Sequence, residues 1–427
     1  MIKTLYHNLF FVLPLVFFWQ TRFPLFNQYY ASDYLIGFVY VRELVIAAFV
    51  ITGLIAERNK IVIWVKSFRW LVILSLILII TAGTSSWFAI VPSIAVYRTV
   101  LLVLYVSFSF VFSYTVHSYH RKWENWLLWW CVPFLIIGVL AVFEFVRGYS
   151  LGIWILGNWH FSTLSLGIAK ISIWGHSFLR PYATFPHPNV LGGVSAIFLF
   201  FSLYVWRHST TRLVRRVALL CVAAQWLLIL ISFSRSAWLG LLFSIVLIFI
   251  ARLRDKRLGE VMLFQKRWVV LAFVVCVMSA PYILKLFSLH TPSIAERIYL
   301  LRQANTLIEA VPITGIGYGN FVASLVSELE KLPPIVYQPV HNVWVLSLSE
   351  IGLVGVFAYL FIWVTMMFLI YRKRYILKEY VVLQIMLVIS FIGLFDHYFW
   401  SITIGQAVWW LIIAMGMVML QSETDEK

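Results

Sequence analysis

Charge is scarce in this chain, and negative charge is scarcer still. Only 12 % of its 427 residues are charged, and 17 acids face 33 bases. An average soluble domain carries roughly 25 % charged residues, so a chain this large cannot clothe a water-soluble globule. Aspartate occurs four times, as Asp33, Asp255, Asp396 and Asp425, and no Asp-x-Asp appears. The nearest acidic pair, Glu328 and Glu330, would diverge on a helix. A divalent-metal nucleotide-sugar site is therefore poorly supported. The three cysteines (Cys131, Cys221, Cys276) lie inside apolar runs, and suggest neither a disulfide framework nor a metal site. None of the ten histidines forms a His-x-x-x-His pair. No metal and no cofactor is expected.

What the chain has in abundance is apolar surface: 62 % hydrophobic and 18 % aromatic residues. Disordered chains are polar and poor in aromatics. A transmembrane barrel needs alternating segments of about ten residues, and the runs here are long and continuous. The expected fold class is all-α, a polytopic membrane protein. A crossing helix needs about 20 mostly apolar residues. Twelve candidate spans follow: 9–19, 34–55, 70–83, 94–116, 126–146, 188–206, 217–233, 237–251, 268–288, 341–370, 381–395 and 403–420. The first follows Lys3 as a signal-peptide core would. No small-residue cleavage site comes after it, so it counts as a span.

With the N-terminus inside, the inner segments hold 22 of the 33 basic residues and the outer segments hold 8. That split predicts both termini in the cytoplasm. The basic residues sit in short clusters between spans, and no nucleic-acid-binding module appears. The two longest connections, 147–187 and 289–340, both fall outside. The expected organisation is a single membrane domain over 1–427. Its large outer loop, 289–340, lies between the ninth and tenth spans.

The outer segments carry the polar residues of interest. Ser293 and Glu296 stand as a capping box after Pro292. Ile294, Ile298, Leu301 and Ile308 form a stripe at helical spacing, with Arg297 and Arg302 on opposite flanks. This predicts an amphipathic helix on the outer face, its arginines at phosphate depth. Gly315, Gly317 and Gly319 follow Pro312; read alone, they make a turn. Arg180 precedes Pro181 and stands ahead of Pro188 and Asn189. Arg235 sits in the tight Ser234-Arg235-Ser236 turn, where outer acids to pair with it are few. His341 and Asn342 open the tenth span, and Asp396 lies at the outer end of the eleventh. Arg42 and Glu43 point about 100° apart on a helix and are not expected to face one another. Glu144 and Arg147 are expected to pair at a helix end. Trp154, Trp159 and Trp174 suit interfacial anchoring better than carbohydrate stacking.

In this order the outer motifs resemble the O-antigen ligase and polymerase superfamily of membrane glycosyltransferases. His341-Asn342, nine residues, then Gly352-Leu353-Val354-Gly355, with Glu350 just before, is similar to the family's His-Asn…Gly-x-x-Gly signature. Arg180 with Pro188-Asn189, the Ser234-Arg235-Ser236 turn, and Arg297 leading to Pro312 and Gly315-Ile316-Gly317-Tyr318-Gly319-Asn320-Phe321 resemble three further family segments. Leu301 stands where many members have Trp. The resemblance implies a GT-C-like membrane fold in the bacterial cytoplasmic (inner) membrane, with its active site facing outward. It implies a polyprenyl-pyrophosphate-linked glycan donor and a glycan, lipid or protein acceptor. Arg180, Arg235 and Arg297 would hold the pyrophosphate, offsetting its charge without a metal. His341 would act as general base, and Asp396 would orient His341 or bind the acceptor. Single displacement would invert the anomeric centre. A polymerase of lipid-linked repeats would use the same chemistry. A lipid-glycan flippase is the alternative of another class; paired Gly/Pro breaks in corresponding halves are not evident.

Overall fold

The computed structural model describes residues 1–27, 32–119, 123–173, 175–254, 292–328, 337–373 and 377–421. The expected span 268–288, Trp174 and the pair partner Glu330 lie outside the described residues. The chain is helical almost throughout: α1 (Ile2–Val16), α2 (Val41–Lys66), α3 (Arg69–Ser85), α4 (Pro92–Tyr119), α5 (Trp123–Cys131), α6 (Pro133–Arg147), α7 (Pro188–His208), α8 (Arg212–Ile231) and α9 (Arg235–Arg254) come first. Then follow α10 (Pro292–Ala310), α11 (Phe321–Glu328), α12 (Val343–Arg372), α13 (Leu377–Phe395), the single turn α14 (Tyr398–Ser401) and α15 (Thr403–Gln421). Among the described residues seven helical stretches are long and apolar enough to cross a membrane, α5 and α6 together supplying one of them. α1, Arg235–Ile250 and Tyr380–Phe395 are shorter apolar helices.

Apolar residues are exposed in helical rows: Ile73, Leu76 and Ile80 on α3, and Phe357, Phe361, Val364 and Phe368 on α12. Such rows suit lipid, not water. α7 and α15 are instead buried nearly end to end and form the centre of the bundle. Small residues let neighbours close on α7: a Cβ on Gly192 would overlap the Ser232 hydroxyl, and one on Gly193 would overlap the Tyr398 hydroxyl.

Three local expectations are corrected. The apolar run from 34 is not helical at its start. Residues Ile36–Tyr40 form β2, antiparallel to β1 (Arg22–Asn27), and α2 begins only at Val41. Arg42 and Glu43 do meet: Nη2 lies 2.6 Å from Oε1. Sequence spacing fixes the Cβ directions, but the long guanidinium arm folds back, and both groups are buried together. Arg42 also donates to the Phe17 carbonyl at 3.3 Å and the Thr403 hydroxyl at 2.8 Å. Tyr105 donates to Glu43 at 2.6 Å. Glu144 does not pair with Arg147. Its carboxylate accepts from Asn158 at 2.6 Å and from the Tyr182 and Ala183 amides at 2.8 Å each. Buried amides needing an acceptor outcompete an exposed cation that water already solvates. Glu144 thereby fastens the loop that carries Arg180.

The amphipathic helix is present as α10, with two differences. It begins at Pro292, so Ser293 lies in the first turn and not at the cap; Pro is well suited to a first helical position. The protein-facing side is Leu300 and Ala304, both fully buried, while Ile298 and Leu301 of the predicted stripe are exposed. Arg297 lies three residues before Leu300 and seven before Ala304, so it shares their inward face. Arg302 is exposed.

Candidate functional site

A cavity of about 760 Å³ lies where the loops assigned to the outside gather. It is lined by the β1–β2 hairpin, the starts of α4 and α7, the residues before α12, and the α13–α14 junction. His341, Asn189 and Asp396, all singled out in the sequence, line it together. Arg22, Tyr34, Arg98, His187 and His397 line it as well.

Backbone chemistry explains the placement. Asn342 caps α12: its side-chain oxygen accepts from the Trp344 and Val345 amides at 2.9 and 3.0 Å. Its amide donates to the Leu394 carbonyl at 3.1 Å, tying α12 to the end of α13. That fixes His341 beside Asp396 and His397. His187 caps α7, its Nδ1 accepting from the Asn189 amide at 3.1 Å, with Pro188 as the first helical residue. Arg180 then reaches Asn189 at 2.6 Å, and Asn189 donates to Asp396 at 3.1 Å. Arg180 Nε also donates to the Ser232 carbonyl at 2.8 Å. Arg180, Asn189 and Asp396 thus form one hydrogen-bonded line, although 216 positions separate its ends in sequence.

Asp396 does not hydrogen-bond His341. Its second oxygen accepts from the His397 amide at 3.0 Å. His341 instead stacks edge-on against the His397 ring, centroids 5.1 Å apart. His341 Nδ1 is buried and has no hydrogen-bond partner. Arg297 reaches the Phe395 carbonyl at 3.4 Å, one residue from Asp396. Arg235 is exposed at the start of α9, two residues past Phe233, whose carbonyl accepts from Arg180 at 3.5 Å. None of the three predicted arginines is itself a lining residue; Arg180 is one hydrogen bond from the lining residue Asn189, and Arg297 bonds the carbonyl next to the lining residue Asp396.

Burial and the arginines set the protonation states. His341 is lowered to about 3, first by burial and then by Arg297. His187 is lowered to about 3 by burial, Arg180 and His341, and His397 falls well below its usual value for the same kinds of cause. Asp396 is raised by burial, against the pull of Arg297, His397 and Asn189. All three histidines are thus neutral at pH 7. On unfolding they regain a value near 6.5 and bind protons the folded state refuses. Stability is therefore lost as pH falls from about 6.5 toward 3, by up to about 1.4 kcal/mol per unit for each histidine. Asp396 and the likewise raised Glu296 act in the opposite sense, gaining stability as they protonate. With His341 and His187 both lowered to about 3, the melting temperature in detergent should drop between pH 7 and pH 5. A flat or rising profile would contradict this assignment.

The remaining motif residues build the frame and do not touch the cavity. α12 breaks at Gly352, with φ 69° and ψ −175°, a conformation open essentially to glycine alone. In an unbroken helix the Ser349 carbonyl would accept from Leu353. Here it accepts from Ile316 at 3.0 Å, the Glu350 carbonyl accepts from Gly317 at 3.0 Å, and Leu353 donates to the Pro312 carbonyl at 2.9 Å. The glycine segment of the large loop is stitched into the broken helix, backbone to backbone. Gly315 lies against the Glu350 backbone, and Gly317 against Ala89. The Glu350 side chain completes the joint, accepting from the Phe321 amide at 3.2 Å and from Trp400 at 2.7 Å. At Gly355, α12 packs against Thr81 of α3.

A membrane-embedded helical bundle with a polar cavity at one end is the class these features define. Residues 218–360 match the family model described as O-antigen ligase, which covers α8, α9, α10, the glycine segment and the start of α12. The match supports the O-antigen ligase superfamily, which includes ligases and polymerases of membrane glycans. No curated protein matches the chain.

Proposed function

We propose that the protein transfers a glycan from a polyprenyl-pyrophosphate donor to an acceptor hydroxyl, at the outer face of the bacterial cytoplasmic membrane. The observation that carries this reading is the neutral His341 imidazole in the lining of a polar cavity, with Arg180 bonded to the lining residue Asn189 and Arg297 to the carbonyl beside Asp396. The His341 imidazole takes the acceptor hydroxyl proton as the oxygen attacks the anomeric carbon. The bond from that carbon to the pyrophosphate breaks, and the lipid pyrophosphate leaves with the electron pair. Arg180 and Arg297 offset its charge through charge-assisted bonds. Attack from the face opposite the leaving group inverts the centre. Bound pyrophosphate would neutralise Arg297, the second cause of the low His341 value. The base is thereby strengthened only when the donor is in place.

The test is to incubate the purified protein with a lipid-linked glycan and separate candidate acceptors. Transfer to a second lipid-linked repeat identifies a polymerase, and transfer to another acceptor identifies a ligase. No covalent product, with donor crossing a vesicle bilayer, would favour a flippase and defeat the reading. Arg180→Lys should recover little of the activity lost in Arg180→Ala, since a lysine cannot hold both Asn189 and the Ser232 carbonyl in one planar fork. Equal activity of the Lys variant and wild type would remove that role.

A further inference from the structure

Arg98 lies in the second turn of α4, is 7 % exposed and lines the cavity. Neither its Nε nor its Nη1 has a hydrogen-bond partner. None of the ion pairs among the described residues includes it. Glu350, an acid that feels its charge, spends its carboxylate on Trp400 and the Phe321 amide. The side chain is nevertheless held. Gly319, at φ 76°, has no Cβ where one would stand 2.9 Å from Arg98 Cγ and 3.4 Å from Nε. The Tyr97 ring lies 5.8 Å from the guanidinium carbon. A packed, buried guanidinium without an anionic partner is strongly destabilising. Such a group persists where something else gains from it.

We infer that Arg98 binds an anionic group, a carboxylate or a phosphate ester, on the glycan that enters the cavity. This rests on the proposed transfer reading only for the carrier being a glycan; the anion binding stands apart from it. The site is distinct from the pair Arg180 and Arg297, which already have protein acceptors. Arg98 is a specificity residue: it offers two open donor positions to a charged sugar and none of value to a neutral one.

The experiment follows thermal unfolding of the full-length protein in detergent at matched ionic strength. The probes are methyl β-glucuronide, inorganic phosphate and neutral methyl β-glucoside. Wild type should be stabilised by the glucuronide or phosphate and not by the glucoside. Arg98→Met keeps the bulk without the charge. It should raise the melting temperature of the ligand-free protein by about 2–4 °C and abolish the anion effect. Arg297→Ala should retain that effect, which separates Arg98 from the pyrophosphate side of the cavity. The inference is overturned if Arg98→Met lowers the melting temperature, since Arg98 is then structural. It is overturned equally if anions stabilise wild type and Arg98→Met alike, if they fail to stabilise wild type, or if Arg297→Ala alone removes the effect. None of these outcomes requires turnover, so failure of the transfer reading would be seen separately.

Discussion

His341→Gln is expected to lower glycan transfer by roughly 10²- to 10⁴-fold, the usual loss when a general base is removed, while the protein remains folded. The stability expectation follows from the site. His341 Nδ1 makes no hydrogen bond, so Gln forfeits none of the protein's own pairing there, and the Asn342 cap of α12 is untouched. Gln keeps the polarity and much of the volume but cannot take up a proton. If His341 is only an interfacial anchor, Gln should serve as well as His. Transfer near the wild-type rate at matched membrane abundance would remove His341 from the mechanism and leave the arginines as the main catalytic groups. Asp396 gives a contrasting case. It holds Asn189 and the His397 amide, not His341, so Asp396→Asn should disturb the Arg180 line before it disturbs the base.

Gly352→Ala is expected to cost at least about 3 kcal/mol and to deplete the protein from the membrane. Two penalties combine. The backbone angles at Gly352 exclude an L side chain, and a Cβ would overlap the Ile313 carbonyl oxygen. Straightening the helix to relieve the strain would displace the amides of Ile316 and Gly317 from the carbonyls they occupy. Each buried amide left unpaired costs a further ~1–3 kcal/mol. Gly83→Ala is the control, since Gly83 lies in the last turn of α3 without a positive φ and a Cβ there meets only Thr99 at 3.8 Å. It should be neutral or slightly stabilising. Melting temperatures in detergent for the two variants decide the matter; similar values would refute the account of the break.

Much of this was legible in the sequence, for identifiable reasons. Membrane helices declare themselves by length and composition, and seven of them fall on expected spans. His341, Asn189, Asp396 and Arg180 could be singled out because charged or polar residues near helix ends stand out against an apolar chain, and the first three do line one cavity. The start of α2 was not legible: residues 34–40 are apolar, aromatic and β-branched, and periodicity cannot separate such a run from a helix. The pairing of Arg42 with Glu43 and the capture of Glu144 by loop amides depend on side-chain reach and on distant backbone. His187 and His397 are far from His341 in sequence, and only folding brings all three to one cavity. Arg98 did carry a signal, a lone cation inside a span, but the cavity it faces is built from segments far away in sequence.

The joint at Gly352 also has an evolutionary consequence. The three bonds that stitch the glycine segment to the broken helix use main-chain atoms alone, with Pro312, Ile316, Gly317 and Leu353 contributing only amides or carbonyls; the Glu350 carboxylate is the one side chain that joins in, and it too meets a main-chain amide, that of Phe321. Apart from the glycines and Glu350, the joint's hydrogen bonds do not depend on the side chains of that stretch. Ile313, for instance, is 66 % exposed. The surface of the loop is therefore free to drift in chemical character from one lineage to another, while the helix that carries His341 stays where it is.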